Sequence, residues 1–378
     1  MSRKIFCIVL AICCLLSATA FPCHAQNTLS VSAKAAILMD ADSGMVMWEK
    51  NADTRLGMAS TTKIMTALTV LSLTKPQNTV VIPEDAVGIQ GSSVYLCAGE
   101  RLTVEQLLYA LILSSANDAA TALAIYCSGS VEKFAERMNA LARELGLRDT
   151  NFVNPHGLDD EDHYTTAREL AIITRAALEN ELLCKIFSTK KATIPLNDEA
   201  DRRLLVNHNK MLSRYDGAIG VKTGFTKRTG RSLVSAAKRD GMTLICVTLD
   251  APDDWRDHTA MLNYGFDNFC RRTVAGVGEY TFEYNITGAD TDTVTLVNTQ
   301  PLILTLPRSA AKLSFTHFST SRFAFAPVTR GDILATVSVS ACGQTASSPL
   351  VALETIAKAD EKDSFWRKFF NFFKLKRD

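Results

Sequence analysis

The chain has 378 residues, 47% of them hydrophobic and 21% charged, with a formal net charge of +1. This is an ordinary globular composition, long enough for a large core and two domains. The near-neutral balance, with no basic stripe interleaved with aromatics in the body of the chain, excludes a global field for nucleic acid.

In chain order, a targeting signal comes first. Arg3 and Lys4 precede Ile5 to Leu16, an apolar run as long as a signal-peptide core and too short to span a bilayer comfortably. Cleavage after Cys23-His24-Ala25 removes residues 1–25, with Ala18-Thr19-Ala20 as the alternative site and a retained anchor as the alternative fate. Either way, the remainder is exported. Four of the ten cysteines, Cys7, Cys13, Cys14 and Cys23, fall in this segment. The others, Cys97, Cys127, Cys184, Cys246, Cys270 and Cys342, are far apart and form no C-x-x-C pair. They read mostly as small buried hydrophobes, with one or two disulfides left open.

AKAAILMDADSGMVMWEKN reads as two strands joined at Asp42-Ser43-Gly44. A helix opens at Ser60, with Ser60 or Thr61 as N-cap and Ile64, Met65, Leu68 and Leu71 as its buried stripe. Val104 to Tyr126 is apolar and helical, broken by a polar knot at Ser114 to Asp118. VEKFAERMNALARELGL is an amphipathic helix ending at Gly146, and Thr165 to Leu182 reads as another. GAIGVKTGFT looks like a strand, and Arg231 to Asp250 like two strands around Asp240-Gly241. Beyond Cys270 the helical period fades. TVTLV, LILTL, KLSFTHF, ILATVSV and PLVALETI are short β-rich runs divided by Gly, Pro, Asn and Ser. Phe365 to Asp378 is different again, aromatic and basic.

Three short stretches carry chemistry when taken together. Ser60 and Lys63 lie three apart at a helix start, so a Lys63 amine can reach the Ser60 hydroxyl. A serine hydroxyl is a poor nucleophile until a neighbour takes its proton. Lys63 must be neutral to do so, and a dry pocket with a second cation, Lys222, lowers its pKa. Ser115 can pass the proton to a leaving amine, and Asn117 can hold a substrate amide. In the serine acyltransferases that these three stretches together resemble, the backbone N–H groups matching those of Ser60 and Phe225 are the expected oxyanion donors.

The order Ser60-x-x-Lys63, Ser115-x-Asn117, Lys222-Thr223-Gly224 resembles the signature of penicillin-binding serine acyltransferases. More closely, the chain resembles the low-molecular-weight penicillin-binding proteins, serine-type D-alanyl-D-alanine carboxypeptidases, from about Ala33 to about Ile356. DADSGMVMWEKNADTR, GSSVYLCAGERLTVEQLLYALILSSANDAA, NFVNPHGLDDEDHYTTARELA and APVTRGDILATVSV carry that likeness in order. It implies an α/β fold with an antiparallel sheet between helical layers and the site between sheet edge and helices. A small all-β C-terminal domain and a terminal amphipathic membrane helix follow. The expected limits are 28–270 for the catalytic domain, 276–357 for the β domain, and 358–378 for linker and anchor. The resemblance further implies catalytic Ser60, Lys63 and Ser115, and substrate-binding Asn117, Lys222, Thr223, Gly224 and Phe225. The implied substrate is a peptidoglycan stem ending in D-Ala-D-Ala, with β-lactams as inhibitors and no metal or organic cofactor. The implied place is the outer face of the cytoplasmic membrane.

There are departures. Ala116 replaces a common glycine, and Met58 a common proline. An arginine that takes the substrate's terminal carboxylate is matched by Arg256 only with a shift of two positions, leaving Thr223 and Thr226 as alternatives. His156 and His163, with Asp159 to Asp162 between them, read as a structural loop rather than a metal site. A serine β-lactamase is the nearest rival. No glutamate between Asn117 and Lys222 has asparagine four residues on, which argues against fast β-lactam turnover. A non-catalytic wall-binding scaffold is the second rival, disfavoured because each motif's polar groups are intact.

Overall fold

The computed structural model describes residues 29–196, 201–310, 312–318 and 321–359, with backbone alone at 317 and 318. The targeting segment and the tail from Phe365 onward lie outside the described residues.

The first hairpin forms where alternation and turn chemistry place it, with β1 (Ala35–Asp40) antiparallel to β2 (Val46–Lys50). Asp40 Oδ1 closes its turn, accepting from the Ser43 N–H at 2.7 Å and the Ser43 hydroxyl at 2.6 Å. Among the described residues, six helices of eight or more residues follow, namely α1 (Lys63–Leu73), α2 (Val104–Leu113), α3 (Asn117–Ser128), α4 (Val131–Glu144), α5 (Ala167–Leu178) and α6 (Glu181–Ser188). Thr103 and Gln106 start α2 with a reciprocal capping box. The stretch read as one helix from Thr165 to Leu182 is two. Asn180 interrupts it by accepting the Leu183 N–H at 3.1 Å, a side-chain bond that starts α6 afresh.

Strands β3 (Ala218–Thr226), β4 (Gly230–Arg239) and β5 (Met242–Leu249) then join the hairpin, and α7 (Asp254–Asn268) follows. The sheet order is β2-β1-β5-β4-β3, antiparallel throughout, so β3 is an edge. Alternation splits the faces of this sheet. Ile37, Met39, Val234, Ala236, Ile245 and Val247 join the large core made with the helices. The other face meets α7, where Cys246 Sγ lies 3.4 Å from Met261 Sδ and Thr248 Oγ1 lies 2.9 Å from His258 Nε2. Ile64, Met65 and Val70 of α1 are fully buried, each worth roughly 1.5–3 kcal/mol. Leu68 and Leu71 are only half-buried against the same core.

The β-rich runs supply a second core. Strands Ser314–Phe318, Ile333–Ala341, Gln344–Ala352, Thr293–Asn298, Thr281–Thr287 and Ala324–Phe325 form one sheet in that order. Phe269–Ala275 pairs with Leu302–Pro307, and Leu304 and Leu306 pack with Leu296, Val337 and Leu350. The cysteines do not fit the sequence expectation. All six described ones are free, and only Cys246 is buried, because Cys97 and Cys342 lie in exposed turns and the other three at partly covered positions. Among the described residues, no helix is long and apolar enough to cross a membrane.

Candidate active site

Ser60 does not stand in the first turn of an α-helix. Ala59–Thr62 form a 3-10 turn, and α1 begins at Lys63. Neither Ser60 nor Thr61 caps α1. Thr61 Oγ1 instead donates back to the Met58 carbonyl at 2.6 Å, and Thr62 Oγ1 to the Ala59 carbonyl at 2.7 Å. Local hydroxyl-to-backbone bonds have outcompeted helical capping. Ala59 itself has φ +47°, uncommon for a residue with a side chain. Gly224 explains how β3 reaches this turn, since a Cβ there would lie 2.9 Å from the Met58 carbonyl oxygen and 3.1 Å from Ser60 N. The glycine of Lys-Thr-Gly is therefore a requirement of close approach.

Lys63 is completely buried. Its Nζ lies 3.0 Å from Ser60 Oγ, 2.7 Å from Asn117 Oδ1 and 2.5 Å from the His156 carbonyl oxygen. The last two groups can only accept. A neutral amine has two hydrogens to give them, which leaves its lone pair for the Ser60 hydroxyl. Burial, reinforced by the Lys222 charge, holds the Lys63 pKa well below the ordinary lysine value, while Asp118 opposes the shift. Lys222 is also buried, which lowers its pKa to about 7, and its Nζ donates to the Thr223 carbonyl at 2.9 Å.

The polar knot between α2 and α3 is a sharp turn, with Ser115 at φ +57°. Its shape is tied to residues 90–96. The Asn117 N–H donates to the Ser92 carbonyl at 2.7 Å, and Asn117 Nδ2 to the Gln90 carbonyl at 2.6 Å. Buried Asp118 accepts the Ser93 hydroxyl at 2.6 Å and the backbone N–H groups of Val94 and Leu96. Asn117 thus clamps Lys63 with one end of its carboxamide and the loop with the other.

Ser60, Ser115, Thr223, Gly224 and Phe225 open onto one cavity of about 340 Å³. Lys63, Asn117 and Lys222 are not among the residues that line it. Sequence reasoning missed Ser92, His208, Lys210, Arg231, Asp254 and Trp255, which complete the lining. Arg231 stands opposite Phe225 across β3 and β4, and its Nε donates to Asp254 Oδ2 at 3.2 Å. Arg256 is 85% exposed, 4.0 Å from Asp253, and does not line the cavity. Thr226 is turned aside as well, its hydroxyl donating to Asp159 at 2.8 Å. One ring nitrogen of each histidine is engaged inside the loop, His156 Nδ1 accepting from the Leu158 N–H at 3.2 Å and His163 Nδ1 from the Val153 N–H at 3.2 Å.

A buried, deprotonation-prone lysine against a serine hydroxyl, at the edge of an antiparallel sheet backed by helices, defines a serine acyl-transfer enzyme. Residues 22–253 match the family model of Peptidase_S11, D-alanyl-D-alanine carboxypeptidase. The chain is 32% identical to the D-alanyl-D-alanine carboxypeptidase DacF of Bacillus subtilis, over 88% of this chain and 88% of that protein. It is 32% identical to DacC of Escherichia coli, over 92% and 89%. The crystal structure of penicillin binding protein 5 from Haemophilus influenzae superposes with TM-score 0.71 at 29% identity, covering 87% of this chain and 98% of that one. The chain belongs to this S11 family and is a serine-type D-alanyl-D-alanine carboxypeptidase.

Proposed function

We propose that Ser60 is the nucleophile and Lys63 the base, a reading carried by the 3.0 Å contact between the Nζ of fully buried Lys63 and Ser60 Oγ at the cavity wall. Ser60 Oγ bonds to the carbonyl carbon between the two terminal D-alanines of a peptidoglycan stem as its proton passes to Lys63. The negative oxygen faces the backbone N–H groups of Ser60 and Phe225. The C–N bond then breaks, the leaving amine takes a proton by way of Ser115, and D-alanine departs. Water hydrolyses the ester and frees Ser60. A β-lactam acylates the same oxygen. Thr223 and Gly224 shape the cavity edge, and Asn117 and Lys222 act from behind the lining.

Arg231 receives the substrate's terminal carboxylate in place of Arg256. Arg231 lines the same cavity as Thr223, and Asp254 fixes its side chain without closing it off, since it stays 46% exposed. Release of D-alanine from a pentapeptide stem, followed with and without penicillin, tests the activity and this assignment together. Arg231→Gln should lower kcat/KM by about tenfold or more, chiefly through KM. Arg256→Gln should change little. Equal activity of the Arg231 variant and the parent would sink the assignment.

The enzyme acts outside the cytoplasmic membrane and is held there by its end. In SFWRKFFNFFKLKRD, Phe365, Trp366, Phe369, Phe370 and Phe373 recur at helical spacing, with five basic residues against one acidic between Phe365 and Asp378. An aromatic stripe with basic neighbours suits the boundary of an anionic membrane. Deleting residues from Phe365 onward should release a soluble, fully active enzyme whose binding to anionic vesicles is lost. Equal partitioning of the truncated and full chains would disprove the anchor.

A further inference from the structure

One loop, residues 153–164, contacts both Lys63 and the turn that carries Ser60. Its His156 carbonyl accepts from Lys63. Its Gly157 packs so closely on the nucleophile turn that a Cβ there would fall 1.9 Å from the Ala59 carbonyl oxygen. Its His163, 4% exposed, places Nε2 2.8 Å from Thr62 Oγ1.

The direction of that last bond follows from two separate constraints. His163 Nδ1 accepts the Val153 N–H at 3.2 Å, so the proton of a neutral ring sits on Nε2. Thr62 has one hydroxyl hydrogen and gives it to the Ala59 carbonyl at 2.7 Å, so toward His163 it must accept. Both require His163 Nε2–H to donate to Thr62 Oγ1. Burial, outweighing Asp160 and Asp159, lowers the ring pKa to about 4 and keeps it neutral. The edge of Phe152, 5.8 Å between centroids, fixes the ring plane. The relay therefore runs from His163 through Thr62 to the carbonyl of Ala59. Ala59 has φ +47° and immediately precedes Ser60, and Thr62 immediately precedes Lys63. A backbone held in that region relaxes unless its surroundings over-determine it.

We propose that His163 is a positioning residue for acylation, holding the Ala59–Thr62 turn through Thr62 so that Ser60 Oγ stays presented to Lys63. This rests on the Ser60–Lys63 reading above. The test is penicillin acylation of the full chain, with the initial binding constant and the acylation rate constant measured separately, alongside thermal unfolding. Asparagine in place of His163 can reach the Val153 N–H but not Thr62, whereas glutamine can reach Thr62. His163→Asn and Thr62→Val should each slow acylation by about tenfold or more, with binding within about twofold of the parent. His163→Gln should recover most of the rate. The double variant His163→Asn with Thr62→Val should be no slower than either single one, as expected for two members of one relay. Parental acylation in His163→Asn, multiplying losses in the double variant, or a loss of thermal stability without a change in rate would overturn the proposal. If His163→Asn does not fold, Thr62→Val and His163→Gln decide alone. A Ser60→Ala chain that still takes the label would instead refute the nucleophile assignment, whatever His163 does.

Discussion

Ser60→Ala should abolish covalent labelling by penicillin and reduce D-alanine release by about ten-thousand-fold or more, as removal of a nucleophile does in other serine enzymes. The fold should survive, because a single hydroxyl is lost at a position that lines a cavity rather than filling the core. Lys63 would keep its bonds to Asn117 and the His156 carbonyl. In intact protein, mass spectrometry should place one label on Ser60. A label on any other residue, or unreduced turnover in the variant, would remove Ser60 from the mechanism.

Lys63→Arg should be nearly as damaging, though the residue stays long and basic. Arginine does not release its proton in this range and cannot act as base. Its planar fork also cannot meet three partners arranged around one nitrogen, as Ser60 Oγ, Asn117 Oδ1 and the His156 carbonyl are around Nζ. The pH dependence gives a second handle. The reactive form of Lys63 is the neutral one, and its pKa lies well below the usual lysine value because of burial and Lys222. Acylation of the parent should therefore rise with pH through the Lys63 titration. Loss of the charge on Lys222, whose pKa burial lowers to about 7, should oppose that rise, so that the profile levels off or falls at high pH. An acylation rate that is flat across that range, or near-parental acylation by Lys63→Arg, would exclude Lys63 as base.

The pairing of hydroxyl and amine was legible because it is local. A three-residue spacing puts Ser60 and Lys63 within reach in any helical turn, and the structure brings them to 3.0 Å. The turn itself was misread as an α-helical start. Ser, Thr and Thr at 60–62 also suit back-bonding to the preceding carbonyls, and nothing local decides between the two outcomes. What tips it is Gly224 arriving from β3 and Gly157 from the histidine loop, both distant in sequence.

Arg231 shows the same limit in the site. The likeness to the family matches the carboxylate arginine to Arg256 only with a shift of two positions, and that side chain points to solvent beside Asp253. The arginine that reaches the cavity lies on β4, opposite Phe225, and pairs with Asp254 at the start of α7. Only the sheet register and the docking of α7 put those residues together. In the sequence His163 reads as loop structure, and no spacing rule links it to Thr62, 101 residues away.

By itself the sequence determined the order of the motifs, the first hairpin, the broken apolar helix at Ser115, the β-rich second half and the chemistry its polar residues could perform. These are short-range properties, set by side-chain period, turn residues and functional-group identity within a few positions. The tertiary structure alone decided that Lys63 and Lys222 would be buried together, that Asn117 would spend its carboxamide on Lys63 and Gln90, and that Arg231 rather than Arg256 would line the cavity. Burial, pKa and hydrogen-bond partnership belong to the environment a residue is packed into, and that environment comes from strands and loops far away in the chain.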